Sequence, residues 1–354
     1  VQGEGVFVFK EIVARTAKGE GFDGIPGIAF SQGGSLVRTD YRAAVDLDAF
    51  PYPDRSLTAR YRKHYYSEWM KPLASIRTSK GCPYRCNFCA LWKMTGGRYL
   101  KRKPEKIVEE LADLDEEFVF FADDESLVDA ARMATLAGQI KEAGLRKRFF
   151  LYGRSDTIAG NPKLLEMWRD IGLERVFVGL EFFRDEDLEY VGKGSTTTDN
   201  GKAVKILHDL DIEIFASFIV RPEFDKADFA ACSQYCRDLG LNFAGFAMLT
   251  PLPGTDFYEQ VSSRLITHNY DYFDFFHTLL PTTLPLQEFY EEYYQLFRRA
   301  VPFSKGLSLL RRYPLVEIPP SLAKHYRFLN RLRSTYLDYE SGEAFKPELD
   351  THKH

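Results

Sequence analysis

The sequence predicts an α/β fold in which six short strands lie side by side in a parallel sheet, joined by helices and curled into a partial (β/α)6 barrel. Three observations carry that prediction. Between residues 73 and 249, short apolar runs alternate with segments of helical periodicity. The apolar runs are continuous rather than alternating, as in strands buried on both faces. Charged residues collect just beyond several of these runs, at the end where parallel α/β sheets carry their chemistry. A doubly wound open sheet meets the same observations and is the rival architecture.

Taken in order, "LASIRTS" (73–79) is a strand leading into a loop with three cysteines. "PEKIVEELADL" (104–114) sets Ile107, Leu111 and Leu114 on one helical face, with Pro104 suited to the first turn. "EFVFFAD" (117–123) is the second strand, followed by a helix over 126–143 and the strand "RFFLYG" (148–153). A helix opens at "NPKLLEMW" (161–168), with Asn161 as N-cap and Pro162 behind it. Then come the strand "RVFVGLE" (175–181), the helix "DNGKAVKILHDL" (199–210), the strand "EIFASFIV" (213–220), a helix over 226–239 and the strand "FAGFAML" (243–249). The prolines and glycine of "TPLPGT" (250–255) suit the rim of a barrel.

The flanks read differently. Residues 1–55 hold two short glycine-rich stretches and the turn-laden "DLDAFPYPDR" (46–55), a linker punctuated by Pro51 and Pro53. The chain opens on Val1 in mid-pattern and is read as a piece of a longer protein. Residues 257–297 carry 12 Phe and Tyr, whereas 298–333 carry nine Lys or Arg against Glu317 alone. The expected organisation is therefore an N-terminal segment and linker (1–55), the barrel (56–256) and a helical, aromatic-rich C-terminal extension (257–354).

Hydrophobic residues at 45% and charged residues at 28% suit a globular chain with a large core. With 47 basic against 51 acidic residues the net charge is −4, which disfavours a nucleic-acid partner. No stretch of 18 uncharged apolar residues and no signal peptide is present. Five cysteines, three of them clustered, do not form a secreted disulfide framework, and the expected compartment is the cytoplasm.

Cys82, Cys86 and Cys89 form Cys-x3-Cys-x2-Cys directly after a strand. Thiolates are soft ligands for zinc or iron–sulfur clusters. Three of them can hold three irons of a cubane and leave the fourth iron open to a substrate. Zinc needs a fourth ligand, and the nearest histidine in sequence is His64. Inert thiols are the third reading, and it is the one that suits Cys232 and Cys236 on a predicted helix.

"GCPYRCNFC" after a strand that opens a barrel resembles the loop of the radical S-adenosylmethionine (SAM) superfamily, whose Cys-x3-Cys-x-aromatic-x-Cys pattern is matched by Cys82, Cys86, Phe88 and Cys89. The resemblance covers about residues 73–255. It implies a [4Fe-4S] cluster on the three cysteines, SAM chelating the open iron through its amine and carboxylate, and reductive cleavage to a 5′-deoxyadenosyl radical fed by an external electron donor. It further implies that Tyr84 and Phe88 in the loop, Asp123 and Asp124 after the second strand, Arg154 after the third and Glu181 after the fourth bind the cofactor. Glu125 and Asp156 stand beside them. The family's Gly-Gly-Glu-type stretch after the second strand is replaced by "ADDES" (122–126), so the partner of the SAM amino group stays open.

"VQGEGVFVFKEIV" (1–13), "IPGIAF" (25–30) and "LDAFPYPDR" (47–55) resemble the exit of a cobalamin-binding domain and its linker, although the Asp-x-His-x-x-Gly corrinoid motif is not in the chain. "NYDYFDFFHTLLPTTLPLQEFYEEYYQLFRR" (269–299) resembles the matching stretch of hopanoid C-3 methyltransferases. These resemblances imply cobalamin-dependent methyl transfer to an unactivated carbon of a small, lipid-like substrate, with C-3 of a bacterial hopanoid as the particular case. They also imply contact of the basic segment 298–333 with anionic headgroups at the inner membrane face. The plainer readings are that Phe289, Tyr293, Leu296 and Phe297 pack at helical spacing, and that Arg311, Arg312, Arg327, Arg331 and Arg333 are a solvated face. Ring rearrangement, cyclisation, tRNA modification and a non-catalytic iron–sulfur protein share the same cluster residues and stand as alternatives.

Overall fold

The computed structural model describes residues 1, 5–40, 46–301, 315 and 318–340. Its centre is a six-stranded sheet of β1 (Leu73–Ile76), β2 (Phe118–Phe121), β3 (Arg148–Arg154), β4 (Leu173–Glu181), β5 (Glu213–Val220) and β6 (Ala244–Met248). Every neighbouring pair is parallel, and the spatial order follows the chain order. A doubly wound sheet reverses its direction of growth part-way, so that rival falls. β1 and β6 remain edge strands and the barrel is partial, as expected.

Helices α1 (Pro104–Ala112), α2 (Ala130–Glu142), α3 (Pro162–Asp170), α4 (Thr197–Asp209) and α5 (Lys226–Asp238) alternate with the strands. Successive strand residues point to opposite faces. One face, with Val119, Phe121, Phe149, Leu151, Val176, Val178, Ala216 and Phe218, shares a single core with Ile107, Leu111, Leu136, Trp168 and Val204 of the helices. The opposite face carries Phe118, Phe120, Phe150, Tyr152 and Phe177, grouped with Trp69 and Met70. Cys232 and Cys236 of α5 are buried in the helix-side core, the packing role expected of them.

Reciprocal capping boxes, Thr196 with Asp199 and Asp225 with Asp228, begin α4 and α5. Asn161 departs from expectation. A short helix, Ser155–Gly160, runs directly into α3, and the Asn161 amide turns back to donate to the Thr157 carbonyl at 2.8 Å, so it does not cap α3.

The N-terminal helix Gly5–Lys18 and the hairpin of Ala29–Gln32 with Ser35–Arg38 have their own small core of Val8, Ile25 and Ile28. The linker is pinned to the barrel. The Tyr52 hydroxyl donates to Glu109 at 2.8 Å, and Arg55 donates to Glu110 at 2.7 Å and to the Ser75 carbonyl at 2.9 Å.

After β6, helix α6 (Leu286–Arg299) buries Phe289, Tyr290, Tyr293 and Leu296, so this aromatic stretch packs at its helical spacing. Helix α7 (Ile318–Arg333) follows. Arg331 pairs with Asp338 at 2.6 Å and Arg333 with Glu291 at 2.6 Å, while Arg311 and Arg312 lie outside the described residues. Among the described residues no helix is long and apolar enough to cross a membrane.

Candidate active site

Beyond β1 the chain forms a loop whose root is the antiparallel pair Ser79–Lys80 with Leu100–Lys101. Gly81 there has φ +89°, and a side chain would press into the Arg98 carbonyl and stand 2.6 Å from Thr95 Oγ1, so only glycine fits. Two carboxylates after β2 hold this root. Asp123 accepts from the backbone N–H of Thr78 at 2.7 Å and of Ser79 at 2.8 Å, and from the Thr78 hydroxyl. Asp124 accepts from the Gly81 N–H at 2.6 Å. Both were expected to bind the cofactor. Within the chain their partners are backbone N–H groups at the root of the cysteine loop. Burial raises the Asp123 pKa, while its three donors favour the charged form.

The far side of the loop is fastened at Asn87. Its N–H donates to the Val191 carbonyl at 2.9 Å, its amide to the Tyr190 carbonyl at 2.9 Å, and its own carbonyl accepts from Phe257 N–H at 2.9 Å. Phe257 belongs to the short helix Asp256–Val261, capped by Thr255, so "TPLPGT" closes the rim against the loop. The Trp92 indole donates to the Cys86 carbonyl at 3.1 Å.

All three loop thiols are free. Burial pushes the Cys82 thiol up to about 11 and raises that of Cys89. Cationic groups stand against this burial. Arg154, at the end of β3, places Nη1 3.9 Å from Cys86 Sγ and its guanidinium carbon 3.6 Å from the Tyr84 ring centroid. Its fork grips Asp156 at 2.9 and 3.0 Å and donates to the Lys193 carbonyl. Burial opposes the Arg154 charge, but Asp156 outweighs it and raises the pKa.

Lys193 donates to Glu181 Oε1 at 2.7 Å, and both side chains are largely buried. Burial alone would lower the lysine pKa; the attraction of Glu181 raises it. Glu181 has φ +62°, and the strand register shifts between Gly179 and Glu181. Such a bulge re-aims a side chain at the end of a strand. Gly179 makes room for the pair: a Cβ there would lie 3.0 Å from Lys193 Nζ and press into the Glu181 carboxylate. Glu125 is fully sheltered; its carboxylate accepts from Leu127 N–H at 3.1 Å, its carbonyl accepts from the Tyr99 hydroxyl at 3.2 Å, and burial pushes its pKa up to about 8.

Tyr84, Asp124, Arg154 and Glu181 are thus all tied to the cysteine loop or to Lys193, whereas Phe88 packs on the main core. The sequence reading did not single out Lys193. Its signal was "VGKGST" (191–196), a lysine between glycines at φ +64° and +75°, just ahead of a capped helix.

Residues 76–236 match the family model described as the Radical SAM superfamily. This part of the chain is a radical SAM domain. The chain is 31% identical to hopanoid C-3 methylase of Methylococcus capsulatus over 82% of its own length and 56% of that protein. It is 28% identical to the anaerobic magnesium-protoporphyrin IX monomethyl ester cyclase of Rubrivivax gelatinosus, over 78% of its length and 51% of the relative. The chain therefore spans about half the length of these relatives. Among solved structures, the cobalamin-dependent SAM radical enzyme OxsB with aqua-cobalamin and SAM bound has a TM-score of 0.65 at 16% identity, over 82% of this chain and 49% of that one. At that identity the likeness is one of fold.

A [4Fe-4S] cluster and SAM are the cofactors of a radical SAM domain, and the residues present fit them. Among the described residues no three His, Cys, Asp or Glu gather around a point that suits one metal ion. A cubane instead takes one thiolate at each of several irons. The Arg154 and Lys193 cations offset the thiolate charge. The buried hydroxyls of Ser126, Ser155 and Ser195, each one or two residues from a site residue in sequence, have no hydrogen-bond partner among the described residues and suit a polar ligand.

Proposed function

We propose that this chain is the radical-forming and substrate-binding part of a methyltransferase that acts on an unactivated carbon. The observation that carries this reading is the cysteine loop locked to Arg154, Lys193 and Glu181 at the C-terminal ends of β3 and β4. When bound, the cluster and SAM supply a one-electron cleavage that yields a hydrogen-abstracting carbon radical. The chain's own residues hold and orient. Cys82, Cys86 and Cys89 would take three irons, Glu181 would accept from ribose hydroxyls, and Lys193 and Arg154 would face the carboxylate. Asp123 and Asp124 keep the loop in register.

The hopanoid C-3 methylase relative supports methyl transfer and a lipid-like small-molecule substrate. The resemblance of residues 1–55 to a cobalamin-domain exit supports a corrinoid held outside this segment. On this reading the protein works in the cytoplasm with an external electron donor, and nucleic acid is not its substrate. Peripheral contact through 298–333 is part of the same reading, though Arg331 and Arg333 are already paired within the chain. The cyclase relative favours a second reading, ring closure on a tetrapyrrole ester.

Anaerobic reconstitution with iron and sulfide, followed by EPR of the reduced protein with and without SAM, tests the site. The expected result is a cluster signal that changes on adding SAM, with 5′-deoxyadenosine as product. A signal indifferent to SAM rejects the reading, as does a protein that takes up zinc and no cluster. With substrate present, SAM carrying a deuterated methyl separates methyl transfer, which labels the product, from cyclisation, which does not.

A further inference from the structure

The face of the sheet opposite the helices carries a belt of aromatic rings. Phe120 on β2, Tyr152 on β3, Phe177 on β4, Phe215 on β5 and Phe243 just ahead of β6 follow one another strand by strand. Their ring centroids are 5.2, 4.8, 4.9 and 4.5 Å apart. Each ring keeps part of its surface exposed. The alternate residues Phe121, Leu151, Val178 and Ala216 are sealed beneath the helices. Tyr152, Phe177 and Phe215 stand in register, Phe120 is registered one step back with Phe150 and reaches the Tyr152 ring diagonally, and together the five rings make a continuous apolar surface rather than scattered exposure.

The belt has a closed end and an open one. Toward the strand N-termini, buried Arg175 lies 4.9 Å from the Trp69 ring, 5.1 Å from Phe215 and 5.7 Å from Phe243, and pairs with Glu68. Toward the C-termini, Arg154 stands two residues beyond Tyr152, Gly179 two beyond Phe177 and Ser217 two beyond Phe215, about 7 Å along a strand. Ser217, Gly245 and Ala247 are small, and a Cβ at Gly245 would come within 3.0 Å of the Phe215 ring. The belt thus lies two strand residues below the ends of β3 and β4 that carry the cysteine-loop site. The Tyr152 hydroxyl within it has no hydrogen-bond partner among the described residues, and burial alone raises its pKa. A half-buried phenol without a partner calls for one from a ligand or water.

We infer that the belt is the platform for the ring-bearing hydrocarbon skeleton of the substrate, with the Tyr152 hydroxyl anchoring a hydroxyl or carbonyl on that skeleton. This assignment rests on the reading of the cysteine-loop site as the radical source, which lies one strand step above. Charged substrates are disfavoured, because the charge at the closed end is already paired and buried.

Binding of 2-naphthol and naphthalene to the full chain, followed by probe fluorescence, tests this without cluster or SAM. The wild type is expected to bind both, 2-naphthol about fivefold more tightly for one hydrogen bond. Phe177→Leu and Phe215→Leu should each weaken both probes about fivefold. The near-isosteric Tyr152→Phe should erase the preference and keep naphthalene binding. Phe9→Ser, on the exposed face of the N-terminal helix, should change neither.

A wild type that binds neither probe overturns the platform, as do folded Phe177→Leu and Phe215→Leu proteins that bind as the wild type. Should both leucine variants fail to fold, Tyr152→Phe decides, since a retained preference for 2-naphthol overturns the anchor. Formation of 5′-deoxyadenosine by reconstituted wild type is scored separately. Its absence alongside normal probe binding refutes the radical reading and leaves the platform standing.

Discussion

The guanidinium of Arg154 lies over the Tyr84 ring, 3.6 Å from its centroid, with Nη1 3.9 Å from Cys86 Sγ. One side chain at the end of β3 thereby joins the cysteine loop to Asp156 and to the turn that carries Lys193. Arg154→Lys keeps the charge and loses the fork. The unfolding free energy of the apoprotein in urea is expected to fall by about 1–3 kcal/mol, and iron retained after desalting should fall with it. Unchanged stability and iron would remove Arg154 from this role.

Alanine at Cys82, Cys86 or Cys89 should each abolish cluster assembly, read as iron and sulfide content and loss of the EPR signal. Cys232→Ala is the contrasting case, because that thiol is buried in the helix-side core. It should keep a full complement of iron and lose a modest amount of stability.

Gly179→Ala should displace the Glu181–Lys193 pair without touching a cysteine. SAM affinity measured by calorimetry on the reconstituted protein is expected to drop at least about tenfold, with iron content held. Glu181→Gln keeps the shape and loses the charge, so a smaller drop is expected. Equal affinity in all three proteins would show that the pair does not face the cofactor.

Asp123→Asn separates loop positioning from cofactor contact. An amide offers one acceptor where the carboxylate serves three donors, at a cost of about 1–3 kcal/mol. Thermal stability and cluster yield should both fall, whereas the fraction that does assemble should bind SAM as the wild type does. Weaker SAM binding in that fraction would restore Asp123 to the cofactor.

His277 predicts a pH dependence in the C-terminal extension. Its ring nitrogens lie 2.9 Å from Asp274 and 2.9 Å from Asp338; Arg331 also donates to Asp338, and the rings of Tyr272 and Tyr339 pack beside it. Burial lowers its pKa, but the two carboxylates outweigh that and raise it above the ordinary 6.5. A histidine raised on folding contributes stability that is complete below pH about 6.5 and fades as pH climbs through the folded value. The melting temperature should therefore decline from pH 6.5 upward, and His277→Gln should flatten that decline. A parallel decline in the variant would assign it to other groups.

Much of this molecule was legible in linear text because its signals are local. The strand "EIFASFIV" is observed over the predicted residues 213–220, and α6 buries the aromatic residues that its spacing put on one face. Asn161 misled for an equally local reason, since a second short helix ends where the capping rule expected a loop. Asp123 and Asp124 were found by position, but their partners within the chain were not. Their donors are backbone N–H groups of Thr78, Ser79 and Gly81, more than 40 residues away in sequence.

By itself the sequence singled out Cys82, Cys86 and Cys89 as the proposed cluster ligands and determined the number and direction of the strands. Thiol spacing and hydrophobic period depend on neighbours in the chain. Only the tertiary structure decided that the sheet grows in one direction, that Lys193 meets Glu181 beside Gly179, where a Cβ would touch both side chains, and that Phe120, Tyr152, Phe177, Phe215 and Phe243 form one surface. Those facts depend on which strand pairs with which and in what register, and register is set by packing between distant segments rather than by any of them alone.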